Sequence, residues 1–149
     1  MKNKSILVVE DDKAILKGLK GILQSEDYSV DTAETGQEAL HKFKTKFFNL
    51  ALLDIKLPDI EGTELLRIMH ENQPEMMKIM VTGYPSLENA VIALNQGADA
   101  YVIKPVKPEK LLDLIEGKLE EQSEAEKMTE EKITEWIKTR ARKITRARN

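Results

Sequence analysis

Carboxylate side chains follow two strongly apolar segments of this 149-residue chain. Glu10, Asp11 and Asp12 come directly after the run 5–9, and Asp54 ends a second run. If both runs are strands of one parallel sheet, these acids meet at its carboxyl edge, where open α/β sheets have their functional crevice. Carboxylates at such close range repel one another, and hard divalent cations relieve the repulsion. The spacing therefore indicates a cation-binding acidic site.

Composition restricts the setting of this site. A chain of 149 residues with 41% hydrophobic residues fits one domain of roughly 100 to 150 residues plus an extension. There are no cysteines, which excludes disulfides, thiolate metal sites and cysteine nucleophiles. The basic N-terminus precedes only a short apolar run, and no run approaches the roughly 20 residues of a membrane span. We therefore expect a cytoplasmic protein without a signal peptide or membrane contact.

Apolar runs of strand length alternate with segments of helical periodicity. This alternation predicts an α/β fold with a doubly wound, five-stranded parallel sheet, in which the first and third strands are central. In the first helix, the spacing predicts an apolar stripe of Ile15, Leu19 and Ile22, with Leu16 and Leu23 beside it. The predicted strands lie near residues 6–9, 28–30, 50–53, 79–81 and 100–103.

The C-terminal segment has a different pattern. Residues 116–135 contain eight acids and three lysines, whereas residues 138–148 contain six bases and no acid. Neither Pro nor Gly occurs after Gly117, so we predict one long helix. Its apolar positions are too sparse to establish a coiled coil, and a solvated linker is the simplest alternative. A second alternative is a homodimer in which the helical tails of two chains lie antiparallel, with the acidic half of each tail along the basic half of the other.

Five ordered motifs identify the family that the chain resembles. It is similar to the receiver domain of two-component response regulators, including the chemotaxis-regulator-like type, over about residues 4–120. The resemblance implies a flavodoxin-like (βα)5 fold with strand order 2-1-3-4-5, a receiver domain at 1–120 and a helical tail or linker at 121–149. The motifs are Ile6–Asp12, Asp54 with Leu57-Pro58 and Gly62, Val81-Thr82-Gly83, Gly97–Tyr101, and Lys104-Pro105.

The resemblance implies that Asp54 is the phosphoacceptor in a Mg²⁺-dependent reaction. A carboxylate is among the nucleophiles that form aspartyl phosphates, and Mg²⁺ lowers the charge repulsion that hinders the attack. By resemblance Asp11 and Asp54 bind Mg²⁺ directly, Glu10 binds through a water, and the carbonyl oxygen of Lys56 completes the ligands. We assign Asp12 instead to capping the first helix.

Four further residues take roles that the family implies. Lys104 contacts the phosphoryl group, and the bond before Pro105 is cis and fixes the direction of that lysine. Thr82 donates its hydroxyl to the phosphoryl group, after which Tyr101 turns inward. Without the resemblance, a solvated lysine and an ordinary core tyrosine are the simpler interpretations of Lys104 and Tyr101.

Two residues at the predicted site depart from the commonest family choices. Lys56 lies two residues after Asp54, and Tyr84 lies two residues after Thr82. We hypothesise that Tyr84 obstructs the attacking water and Lys56 braces the phosphoryl group, which would prolong the phosphorylated state. The alternative is that both side chains face solvent. In either case, the resemblance implies a regulatory switch that assists its own phosphorylation and slow dephosphorylation, and not an enzyme acting on other substrates.

Other functions fit the residues less well. A haloacid dehalogenase-like phosphatase needs a second aspartate two residues after the nucleophile, where Lys56 stands. A flavodoxin needs a phosphate-binding loop after Val9, where the acidic cluster would repel phosphate. A scaffold that is never phosphorylated stays open. His41 and His70 lack metal partners at ligand spacing and are predicted to face outward on helices.

The family implies partners on both sides of the switch. A sensor histidine kinase or phosphotransfer protein would dock near the first helix, and an effector would bind the surface formed by the fourth helix, fifth strand and fifth helix. The 29 residues after Glu120 cannot hold a helix-turn-helix, so we predict no sequence-specific DNA binding within this chain. The signal and the controlled process are not encoded in these motifs.

Overall fold

Strands and helices alternate along the chain in the computed structural model, which describes residues 3–148, with side chains through residue 145. The strands form one parallel sheet in the order β2-β1-β3-β4-β5, so the predicted fold class and strand order are confirmed. The elements are β1 Ser5–Val9, α1 Lys13–Ser25, β2 Ser29–Ala33, α2 Gly36–Thr45, β3 Leu50–Asp54, α3 Gly62–Asn72, β4 Met77–Thr82, α4 Leu87–Asn95, β5 Ala100–Ile103 and α5 Pro108–Arg148.

The sheet is covered on both faces, as a parallel sheet requires. Helices α1 and α5 cover one face, through side chains such as Leu19 and Ile115. Helices α2, α3 and α4 cover the other, through side chains such as Phe43 and Leu66. All five residues of the central strand β3 are buried, which explains why its sequence is nearly all apolar until Asp54.

The apolar face predicted for α1 packs on the sheet, with Leu16, Leu19 and Leu23 buried and Ile15 partly buried against the same core. One detail of the sequence prediction was wrong. His41 is exposed, but His70 is half-buried. The imidazole of His70 fills the space beside Gly97, whose φ of 107° and close approach exclude a larger residue.

The chain divides into two compact units, residues 1–119 and residues 120–149. The first contains the sheet and its covering helices. The described part of the second is the continuation of α5, in which every residue from 124 to 145 is exposed. Within residues 3–148, none of the helices combines the length and apolar character that a bilayer crossing requires.

Candidate functional site

The acidic residues predicted to form a site do converge at the carboxyl edge of the sheet. Strands β1 and β3 are neighbours in register, with Val9 opposite Leu53, so the residues that follow them lie side by side. One carboxylate oxygen from each of Glu10, Asp11 and Asp54 lies within 4.8 Å of the others. They border a crevice of about 540 Å³ whose other lining residues are Asp12, Ile15, Lys56, Gly83, Tyr84 and Lys104.

Asp12 turns away from this acidic cluster. Its Oδ1 accepts hydrogen bonds from the backbone N–H groups of Ala14 at 2.9 Å and Ile15 at 3.1 Å. This is the geometry of a helix N-cap, in which a side-chain oxygen satisfies free donors of the first turn. The predicted capping role of Asp12 is confirmed, and three acids remain for the cluster.

Lys104 connects the two buried carboxylates of the cluster. Its Nζ donates to Glu10 Oε1 at 2.6 Å and to Asp54 Oδ2 at 3.3 Å. Lys104 follows β5 and precedes a cis peptide bond to Pro105. The shorter contact, with Glu10, was not predicted from the sequence, and it joins residues 94 positions apart.

Glu10 is a buried carboxylate whose pKa is strongly raised. Only 2% of its surface is exposed. Burial and the neighbouring Asp54 carboxylate raise the pKa of Glu10 from 4.5 to about 8, although Lys104 acts in the opposite direction. Its second oxygen, Oε2, is buried and has no hydrogen-bond partner among the described residues. An oxygen in this position is available to a cation or to a water held by one.

Thr82 and Tyr101 lie behind the cluster on β4 and β5. Thr82 is fully buried, and its hydroxyl oxygen accepts from the backbone N–H of Tyr84 at 2.9 Å, which leaves its proton available for donation. Tyr101 packs against the core on the α2, α3 and α4 face. Its hydroxyl is buried and lacks a hydrogen-bond partner within the described part of the chain.

The loop between β3 and α3 is held in place from two directions. Gly62 donates its N–H to the carbonyl of Ile55 at 2.6 Å, and a Cβ at Gly62 would overlap the backbone of Asp54. Asp59 accepts from the N–H groups of Gly36 at 2.8 Å and Gln37 at 2.9 Å. These bonds lower the pKa of Asp59 and tie the loop to the N-terminus of α2.

Lys56 and Tyr84 meet at the mouth of the crevice. The Nζ atom of Lys56 lies 4.4 Å from the centroid of the Tyr84 ring, a cation–π contact, and 58% of Tyr84 is exposed. The backbone N–H of Lys56 also points at Asp54 Oδ1, 3.3 Å away. The two residues that the sequence analysis set beside the path of attacking water therefore contact each other.

Comparison with known proteins gives a consistent result. Residues 6–116 match the family model described as the response regulator receiver domain. A CheY-like receiver domain protein from Methanospirillum hungatei is 57% identical, with a TM-score of 0.82, and the match covers 83% of this chain and 99% of that one. The BeF3-activated DrrB receiver domain is 37% identical, with a TM-score of 0.75, and the match covers 79% of this chain and 98% of that one.

Curated relatives are longer proteins. Transcriptional regulatory protein GlrR of Escherichia coli is 35% identical over 91% of this chain and 30% of its own length. Response regulator ArlR of Staphylococcus aureus is 36% identical over 78% of this chain and 53% of its own length. The chain thus spans about a third to a half of these relatives. With these matches and the geometry of its sheet edge, the chain belongs to the response regulator receiver domain family of two-component signalling.

Proposed function

We propose that Asp54 is the phosphoacceptor of this receiver and that Mg²⁺, held by the acidic cluster, is required for the reaction. The observation that carries the proposal is the convergence of three carboxylates and Lys104 at the end of the central strand. Asp54 is 5% exposed, yet it borders the open crevice, so a donor can reach a nucleophile that the fold holds rigidly.

The residues present fit Mg²⁺ well. The cation prefers oxygen ligands, keeps several waters and needs only one or two direct carboxylates. Asp11 and Asp54 would be direct ligands, the carbonyl of Lys56 a third, and the unpartnered Oε2 of Glu10 would accept from a bound water. Bound Mg²⁺ would neutralise charge on the transferred phosphoryl group.

Asp54 and Lys104 would then carry the transfer. A carboxylate oxygen of Asp54 attacks the phosphorus of the donor, the bond from phosphorus to the donor breaks, and its electron pair leaves with the donor. Lys104, 3.3 Å from Asp54 Oδ2, is within reach of a phosphoryl oxygen. Thr82 would donate a hydrogen bond from its hydroxyl to a second phosphoryl oxygen. This contact would exist only after transfer and would therefore favour the switched conformation.

Hydrolysis would remove the phosphoryl group from Asp54. A water attacks phosphorus, inorganic phosphate leaves, and the Asp54 carboxylate is restored. We infer that the Lys56–Tyr84 contact narrows the approach of this water and that Lys56 braces the phosphoryl group. The consequence is a long-lived phosphorylated state and slow self-dephosphorylation.

The conformational response should be graded. A nearly complete two-state switch needs about 5.5 kcal/mol of differential interaction, whereas one hydrogen bond to a charged group contributes roughly 1.5 to 3 kcal/mol. Lys104 already contacts Asp54 before phosphorylation, so its differential share is small. The buried Tyr101 hydroxyl supports some inward conformer in the protein without phosphate.

Phosphorylation can be tested directly by intact mass. The protein is incubated with acetyl phosphate and Mg²⁺, and we expect the mass of one phosphoryl group to be added. Asp54→Asn should abolish the gain, whereas Asp12→Asn, which alters an acid that caps α1, should retain it. EDTA should prevent it in all variants. A phosphorylated Asp54→Asn protein would refute the assignment of the acceptor.

Upstream and downstream partners complete the proposed function. We infer that a sensor histidine kinase or phosphotransfer protein supplies the phosphoryl group. An effector would bind the surface of α4, β5 and α5, which contains a groove of about 430 Å³ and exposed apolar side chains, among them Leu87 and Ile103. The described residues after Glu120 form one continuous stretch of α5, which supports the expectation that this part of the chain holds no helix-turn-helix for sequence-specific DNA binding.

A further inference from the structure

The exposed part of α5 carries an apolar stripe. Between residues 124 and 145, four large side chains lie on one side of the helix, because positions three, four and seven apart share a face. Each is between 53% and 60% exposed, so the stripe covers no other described part of the chain. The four residues are Ile133, Trp136, Ile137 and Ile144.

Charge along the same segment is unevenly divided. Residues 124–135 contain five acids and two lysines, whereas residues 136–145 contain four bases and no acid. Positions four apart on a helix are neighbours, and several such pairs repeat the same charge, as in Glu126 with Glu130 and Lys138 with Arg142, although Lys127 with Glu131 is an opposite pair. An isolated helix with such pairs gains little from its own sequence, and most helices are stabilised by packing an amphipathic face. The segment therefore combines an exposed apolar stripe with a charge pattern that a partner of complementary charge would stabilise.

We propose that two copies of this chain pair through residues 124–145 as antiparallel helices, with the two-fold axis near residue 135. The apolar residues 133–137 of the two copies then meet at the centre. The acidic half of each helix lies along the basic half of the other, which relieves the repulsion within both. A parallel pair would place acids beside acids and bases beside bases, at a cost.

Neither charged half alone explains the whole pattern. A nucleic acid or an anionic surface would engage the bases, but the acids and the central stripe would then lack a role. A second copy satisfies all three features at once. Arg140, whose guanidinium lies 5.0 Å from the Trp136 ring centroid, borders the centre and shields the indole. Because the apolar stripe is sparse, dimerisation should be reversible. Because the charged halves are exposed, added salt should screen their attraction and weaken the dimer.

Association can be measured by sedimentation velocity on the full chain over a range of concentrations. We expect a reversible dimer whose dissociation constant rises with salt. Reversing the basic half with Arg140→Glu, Arg142→Glu and Lys143→Glu should weaken self-association at least about tenfold. The matched control is Lys13→Glu, Lys17→Glu and Lys20→Glu on the exposed face of α1, which makes the same change in net charge and should leave the dimer intact.

A second charge variant tests complementarity. Glu124→Lys, Glu126→Lys and Glu130→Lys should also weaken self-association at least about tenfold, but this variant should form a heterodimer when mixed with the variant whose basic half is reversed. A chain that stays monomeric at every concentration, or a reversed variant that dimerises as well as the original, would overturn the proposal. These results are independent of phosphorylation at Asp54.

Orientation is tested by distance. The chain has no cysteine, so one introduced cysteine takes a single spin label. In the antiparallel pair, labels at Glu124→Cys lie about 33 Å apart along the helix axes, because each is eleven residues from the two-fold axis. Labels at Thr134→Cys lie about 10 Å apart, the spacing of neighbouring helices. A short distance at both sites would show a parallel pair and refute the inference.

Discussion

Removing the ring of Tyr84 should shorten the life of phosphorylated Asp54. The Nζ atom of Lys56 lies 4.4 Å from the ring centroid, and Tyr84 is 58% exposed. A cation–π contact at an exposed site contributes about 0.5 to 1 kcal/mol, which corresponds to a factor of about 2 to 5 in rate. We therefore expect Tyr84→Ala to lose its phosphoryl group about 2 to 5 times faster.

The assay is decay of radiolabelled phosphoprotein after removal of the donor. Tyr84→Phe keeps the ring and should keep the lifetime, which separates the aromatic face from the hydroxyl. Lys56→Met removes the charge, keeps most of the side-chain length, and should resemble Tyr84→Ala. The double variant Lys56→Met with Tyr84→Ala should be no faster than the faster single variant, because both changes break the same contact.

Two outcomes would refute this reasoning. An unchanged or longer lifetime in Tyr84→Ala would show that the ring does not hinder water. Fully additive effects in the double variant would show that Lys56 and Tyr84 act separately, and that their contact has no part in the lifetime.

Two further predictions concern the fold and the charge of the site. In urea unfolding, Gly62→Ala should lower the free energy of unfolding by about 3 kcal/mol or more, because its Cβ would overlap the backbone of Asp54. The control is Gly21→Ala on α1, where the added Cβ meets open space. That variant should raise the free energy of unfolding by about 0.5 to 1 kcal/mol. In EDTA, the folded state holds a proton on Glu10 that the unfolded chain releases above its usual pKa of 4.5. Raising the pH from 5 to 8 should therefore lower the free energy of unfolding, by at most about 1.4 kcal/mol per pH unit, and Glu10→Gln should flatten this dependence. An equal slope in both proteins would contradict the assigned cause.

Periodicity explains how much of the fold could be predicted. Apolar runs with one helix between each pair fix a parallel sheet, and a parallel sheet brings the ends of β1 and β3 together. The convergence of Glu10, Asp11 and Asp54 follows from that topology without knowledge of any side-chain position. The cis bond at Pro105 is different, because only the family resemblance suggested it and no pattern of polarity encodes it.

Contacts between distant segments could not be predicted in the same way. Asp59 reaches the N-terminus of α2 across 23 residues, and Lys104 reaches Glu10 across 94. Lys104 contacts both carboxylates, and the shorter distance to Glu10, like the contact of Asp59, depends on how a side chain or loop packs once the sheet exists. The choice of fully buried residues in α1 has a similar origin, because Leu16 and Leu23 lie beside Ile15 and Ile22 and only packing decides which pair is covered more completely.

The cluster's electrostatics connect stability to signalling. Burial and the neighbouring Asp54 carboxylate, only partly offset by the lysine that the two carboxylates share, keep a proton on Glu10 well above its usual pKa in the absence of a cation. Binding of a divalent cation should expel that proton, because the cation supplies the positive charge that the fold lacks. At the proposed acceptor Asp54, phosphorylation would replace a single negative charge by about two, which would increase the demand for positive charge. The repulsion between the Glu10 and Asp54 carboxylates lowers the stability of the cation-free protein and therefore favours cation binding. For the same reason, the cation should bind more tightly when the site is phosphorylated.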